Sequence, residues 1–132
     1  MKDRSDGMAL LGRALLASLF ILSGWGKLNG FSGAAGYIGS KGLPMPQVLA
    51  AMTVALELGG GILLLIGLKA RWVALAFVVF LIVITPIFHN FWDVPAAQAQ
   101  MQQINFMKNV AIMGGMFMVA AFGPGRFSID RA

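Results

Sequence analysis

The chain has 132 residues, of which 58% are hydrophobic and 11% charged, and its mean hydropathy is +0.80. A water-soluble domain carries about 25% charged and 45–50% apolar residues, so a soluble globular fold is excluded. Ten Lys and Arg against five Asp and Glu give a formal net charge of +5. The basic residues stand singly between long apolar runs, which excludes a nucleic-acid surface and fits the flanks of membrane spans.

The length allows one domain, 1–132, with no linker, repeat or low-complexity tract. Four segments approach the ~20 apolar residues that a membrane crossing needs. They are residues 8–25, 47–68, 72–89 and 105–122. Open strands would leave backbone groups unpaired in lipid, and the alternation of a membrane barrel is absent. The expected fold is therefore all-α, a four-helix transmembrane bundle.

The first segment follows Lys2 and Arg4, but Asp3, Asp6 and Arg13 do not suit a signal peptide, so it is read as a retained span. Residues 29–46 are Gly-rich, with Phe31, Tyr37 and Ile38, and predict a short helix on the membrane surface capped by Ser32. Pro46 stands where a helix starts. In the second span, Ala51, Ala55 and Gly59 form a small-residue stripe suited to close helix contact. Thr53, Glu57, Gly60 and Gly61 form a second narrow face, which predicts that this helix is central. Lys69-Ala70-Arg71 leaves room only for a tight turn. The third span is bulky from Phe77 to Val83 and is expected to face lipid along much of its surface, with a kink at Pro86. Residues 93–104 are expected to extend the fourth span as a polar helical turn or two. Lys2, Arg4, Lys69, Arg71, Arg126 and Arg131 then share one side, against Lys27, Lys41 and Lys108 on the other. Six against three predicts both termini in the cytoplasm.

The few charges inside the spans are the candidate functional residues. Glu57 lies near midplane, where an isolated ionised carboxylate is costly, so it must be paired, solvated or protonated. Arg13 and Lys27 lie within ~40° of each other in projection, about 21 Å apart along the first helix. Arg13 either snorkels to headgroups or turns inward to meet Glu57. His89, Lys108 and Asn109, with Lys27, are expected to line a shallow cavity with Glu57 at its floor. Met113, Met116 and Met118 fit helix packing better than copper, so no metal site is assigned. No motif for a cofactor, and no nucleophile with its base, is present.

Taken together, Arg13, Gly24-x-x-Lys27 with Phe31, Glu57-x-Gly59-Gly60, Lys69-x-Arg71, His89-Asn90-Phe91-Trp92-Asp93 and Asn105-Phe106-x-Lys108-Asn109 ahead of Gly114-Gly115 resemble the DoxX family. The likeness is nearest to its small bacterial inner-membrane members and runs from about residue 8 to 131. It implies a multi-pass protein of the bacterial inner membrane, associated with redox complexes. The additional domain of the thiosulfate-oxidising members is missing, so that activity is not implied. Three functions follow for testing. The first is an accessory subunit of a membrane redox or respiratory complex, contacting quinone through Glu57, His89 and Lys108. The second is a structural or assembly subunit with an Arg13–Glu57 clasp. The third is a small-solute carrier acting as an oligomer. The partners expected are the lipid bilayer and other membrane subunits or a second copy.

Overall fold

The computed structural model describes residues 2–131, with side chains from Arg4 onward. The Lys2 side chain, counted above among the basic flanks, lies outside the described set. Helix α1 is Lys2–Asn29, the short α2 is Phe31–Ser40, and α3 is Pro46–Ile66. Helix α4 is Ala70–Phe88, followed by a single 3₁₀ turn over Phe91–Asp93, and α5 is Ala96–Phe122. Among the described residues there is no strand, and four helices are long and apolar enough to cross a membrane. Four crossings put both chain ends on one side, here the termini end. The α2 helix and the α4–α5 turn lie at the far end.

Several helix ends have an identifiable cause. Pro46 is the first residue of α3, as its fixed φ and missing N–H favour. Gly67, at φ +71°, closes α3, with Leu68 N–H donating to Leu63 O and Gly67 N–H to Leu64 O. These two bonds form a Schellman stop. A side chain is also excluded there, because a Cβ on Gly67 would lie 2.3 Å from Ser128 Cβ. Helix α4 starts without a cap of its own. Asp130, far along the chain, accepts hydrogen bonds from the backbone N–H of Lys69 (2.9 Å) and Ala70 (2.8 Å). Those bonds, first the one from Ala70 and then that from Lys69, hold the Asp130 carboxyl below the ordinary carboxylate range. Helix α2 forms as expected, but its cap position is Gly30, and no side chain caps it. Ser32 lies within the first turn instead.

Helices α1 and α3 pack as one antiparallel pair and α4 and α5 as another. The pairs meet where Phe20 stacks on Phe77, with ring centroids 4.1 Å apart. The core there is Ala17, Phe20, Leu64, Ala70, Ala74, Phe77, Val78, Leu81 and Met116. One expectation holds in this packing and one is corrected. Helix α4 turns much of its surface to lipid, as expected: Trp72, Leu75, Val79, Ile82 and Val83 are exposed, while Ala70, Ala74, Phe77, Val78, Leu81 and Thr85 form a buried stripe along it. In α3 and α4 alike 33% of the spanning window is buried, against 6% in α5, so α3 is no more central than α4 and α5 is the outermost helix. The bulky residues of α4 that do turn inward fill hollows left by small residues. A Cβ on Gly60 would come within 3.0 Å of the Phe77 ring.

The small stripe of Ala51, Ala55 and Gly59 is the second correction within α3. All three are exposed, and a Cβ on Gly59 would meet nothing within 4 Å. The close face is the other one. A Cβ on Gly24 would lie 2.7 Å from Leu58 N, and one on Gly61 would lie 2.8 Å from Ile21 Cγ1. Glycine at these two positions lets the backbones of α1 and α3 touch.

The termini end is closed by residues 123–131. Ile129 and Asp130 N–H donate to the carbonyls of Ile66 and Gly67, each at 3.0 Å. Arg126 N–H donates to the Asp6 carboxylate at 3.2 Å. The tail therefore straps α1, α3 and α4 together.

Candidate functional site

Glu57 sits in a wider turn of α3. Residues Ala55–Gly60 form a single π-helical segment, where the backbone bonds shift from i→i+4 to i→i+5. Such segments occur often at functional sites. The Glu57 side chain is 5% exposed and pairs with Lys27, whose Nζ lies 2.6 Å from Oε1. Lys27 also donates to Ser23 Oγ at 3.1 Å, and Ser23 Oγ lies 3.2 Å from both Glu57 oxygens. A carboxylate, an ammonium and a hydroxyl so close satisfy the buried charge. The contact depends on the Gly24 crossing, because a Cβ there would meet Glu57 Cβ at 3.1 Å.

Arg13 does not reach Glu57, so the expected clasp is replaced by the Lys27 pair. Arg13 is 2% exposed and spends its donors on main-chain oxygens. Nη2 donates to Phe127 O at 2.8 Å and Leu65 O at 3.2 Å, Nε to Leu65 O at 3.4 Å, and Nη1 to Pro124 O. The reason is register. Gly24 lies against Glu57 and Leu58, and Arg13 lies against Leu65, so Arg13 is eight residues of α3, about 12 Å, from the level of Glu57. Burial of Arg13 also excludes the snorkelling alternative. The guanidinium instead ties the end of α3 to the tail strap.

At the far end the predicted polar cluster divides in two. One part is a cavity of about 230 Å3 beneath α2, lined by Lys27, Tyr37, Thr53 and His89 among Ala34, Ile38, Phe80, Ile84 and Phe88. Glu57 stands behind Lys27 and does not line the cavity. Ile38, Thr53, Phe80, Ile84 and Phe88 also line a larger, almost wholly apolar groove of about 450 Å3 between α3 and α4. The two spaces share a wall, so the polar pocket opens sideways toward lipid. Helix α2 roofs them: Ala35 and Ile38 pack on Ala50, with Phe88 against the cluster, and Tyr37 lies 5.4 Å from the Phe88 ring.

His89 is held by Gln102, whose Oε1 lies 2.8 Å from Nδ1. With Nδ1 donating to that amide oxygen, Nε2 is the nitrogen left for a ligand. The other part of the cluster lies on the opposite side of His89. Lys108 is exposed and, with Asn105 and Asn109, lines a separate open groove. Asn109 donates to Thr85 Oγ1 at 3.1 Å, joining α5 to α4. Lys108 and Asn109 therefore do not share the Lys27 cavity. The reading of the sequence missed Ser23 and Gln102. Both signals were present: Ser23 stands four residues before Lys27 on one helix face, and Gln102 three before Asn105.

Comparison with known proteins agrees with this architecture. A DoxX family profile matches residues 8–90. The chain is 35% identical over 124 residues to the inner membrane protein YphA of Escherichia coli (strain K12), covering 94% of this chain and 89% of YphA. It is 36% identical over 132 residues to the inner membrane protein YqjF of the same organism, covering 99% and 95%. It is 37% identical over 73 residues to the "Putative oxidoreductase CatD" of Bacillus subtilis (strain 168), covering 55% and 53%. No solved structure matches.

Proposed function

The chain belongs to the DoxX family and is an inner-membrane protein, and on that premise we propose that it is a subunit of a membrane redox system that receives the ring of a quinone-class carrier beneath α2. The observation that carries this reading is the cavity of about 230 Å3 with Lys27 and His89 in its wall, open laterally to an apolar groove of about 450 Å3. Ligand pockets for drug-sized molecules run to about 300–1,000 Å3, so the inner space suits one substituted ring and not a dinucleotide or haem. Lipophilic carriers arrive through the bilayer, and the groove between α3 and α4 faces that direction.

The chemistry follows from the donors. The Lys27 ammonium offers a hydrogen bond to a ring carbonyl and stays charge-balanced by Glu57. His89 Nε2 accepts a proton from a ring hydroxyl or, when protonated, donates one, and Gln102 fixes the imidazole for that role. Phe80, Phe88 and Tyr37 give the ring flat apolar walls. Lys108, named with His89 for this role from the sequence, is outside the cavity and has no part in it. The oxidoreductase name carried by CatD supports the redox setting.

The test is binding of a short-chain ubiquinone analogue to the purified full chain by equilibrium dialysis. Saturable binding should weaken at least fivefold in His89→Ala and stay unchanged in Lys108→Gln. Absence of saturable binding, or loss in Lys108→Gln with His89→Ala unaffected, would overturn the assignment.

A further inference from the structure

Helix α5 carries a lysine that the Lys27 cavity does not use. Lys108 is exposed and without an ion pair or hydrogen bond among the described residues, and the same holds for the half-buried Asn105 amide. The helix has 27 residues, about 40 Å, against a hydrocarbon thickness of about 30 Å. Its termini-end boundary is marked by Arg71, which donates to Ala121 O at 3.2 Å. The opposite boundary then falls near residue 102, and Lys108 lies about 9 Å beneath it. A bare ammonium at that depth on the most lipid-exposed helix needs a counter-charge.

The groove beside it supplies the shape. It is about 490 Å3, open, and lined by Asn105, Lys108, His89 and Asn109 toward the far end. Leu19, Ala111 and Ile112 line it toward midplane. Donors come first and hydrocarbon follows, in the order that a phospholipid presents phosphate and chain. The charge balance points the same way. Glu57 is engaged by Lys27, which leaves Asp93 as the one far-end carboxylate among the described residues against Lys41 and Lys108.

We propose that the groove between α1 and α5 binds one anionic phospholipid, its phosphate held by Lys108 and Asn105 and one acyl chain lying along Ala111, Ile112 and Leu19. The site lies on the other side of His89 from the quinone cavity, with His89 in the wall of both. A zwitterionic lipid brings its own cation to the phosphate and loses the benefit of Lys108, so the preference is for net negative headgroups.

The experiment is native mass spectrometry of the full chain released from micelles containing equal phosphatidylglycerol and phosphatidylcholine. The wild-type protein should retain one phosphatidylglycerol at least fivefold over phosphatidylcholine. Lys108→Gln, a substitution at an exposed position, should reduce the preference below twofold, while Lys41→Gln leaves it intact. Glycerol phosphate, which has the anion without chains, should bind at least tenfold more weakly than the lipid. No headgroup preference, or an unchanged preference in Lys108→Gln, overturns the proposal. So does equal binding of glycerol phosphate, which would reassign the groove to a soluble phosphate ester. A dimer that dissociates in Lys108→Gln with lipid retention unchanged also overturns it, since a second copy would then cover Lys108.

Discussion

Replacing Lys27 by Met removes the partner of a carboxylate that is 5% exposed. Left buried and unpaired, that carboxylate costs about 3–5 kcal/mol, as for other buried pairs that lose one member, so Lys27→Met should lose about 3–5 kcal/mol. Glu57→Gln should lose far less, about 1 kcal/mol. Its amide keeps a hydrogen bond with Ser23, and Lys27, with 36% of its side chain exposed, can turn to headgroups. The double variant should resemble Glu57→Gln, giving a coupling of about 2 kcal/mol or more. Unfolding free energies from SDS titration in mixed micelles, followed by circular dichroism, measure all three proteins. A Lys27→Met protein within about 0.5 kcal/mol of wild type would refute the pairing.

Other substitutions test the remaining contacts. Arg13→Lys keeps the charge but cannot serve three carbonyls, and should cost about 2 kcal/mol; hydrogen exchange should rise in residues 123–131, since Pro124 and Phe127 lose their donor. Gly24→Ala forces α1 and α3 apart and should cost about 1–3 kcal/mol, whereas Gly59→Ala, in open space, should be neutral or slightly stabilising. Thermal unfolding of the two variants side by side decides which small-residue face packs. Asp130→Ala should cost about 1 kcal/mol at neutral pH, as loss of a cap does. The Asp130 carboxyl is held below its ordinary value near 4, so its contribution is full above that value and is lost as pH falls through the lowered one. Melting curves of wild type and Asp130→Ala should therefore converge in acid.

The spans were legible in the sequence because lipid permits few alternatives. Length, hydropathy and the Lys69–Arg71 turn are local features, and each appears in the structure at nearly the expected residues. Helix register was not local. Arg13 and Lys27 share one helix face, so rotation alone could not choose between them as partner for Glu57. The choice rests on how α1 slides along α3, and an 18-residue connection (29–46) leaves that sliding free. The Gly24 and Gly61 contacts fix it. The same limit applied to the small residues of α3. Two faces looked equally narrow, and only the matching bulk of Phe77 and Ile21 on neighbouring helices decides which one packs. The candidate cluster at the far end was identified as polar but treated as one site. Its division by His89 follows from the Gln102 bond and from the outward face of Lys108, neither of which periodicity specifies.

The central claim is that a quinone-class ring enters beneath α2, and photolabelling tests it most directly. Membranes containing the protein would be irradiated with a short-chain ubiquinone carrying a diazirine on its ring, and the labelled peptides mapped. The account predicts labels within residues 34–38 of α2 and in 80–89 at the far end of α4, suppressed by excess unlabelled quinone. Labels confined to the exposed face of α5, or labels that excess quinone does not suppress, would contradict it.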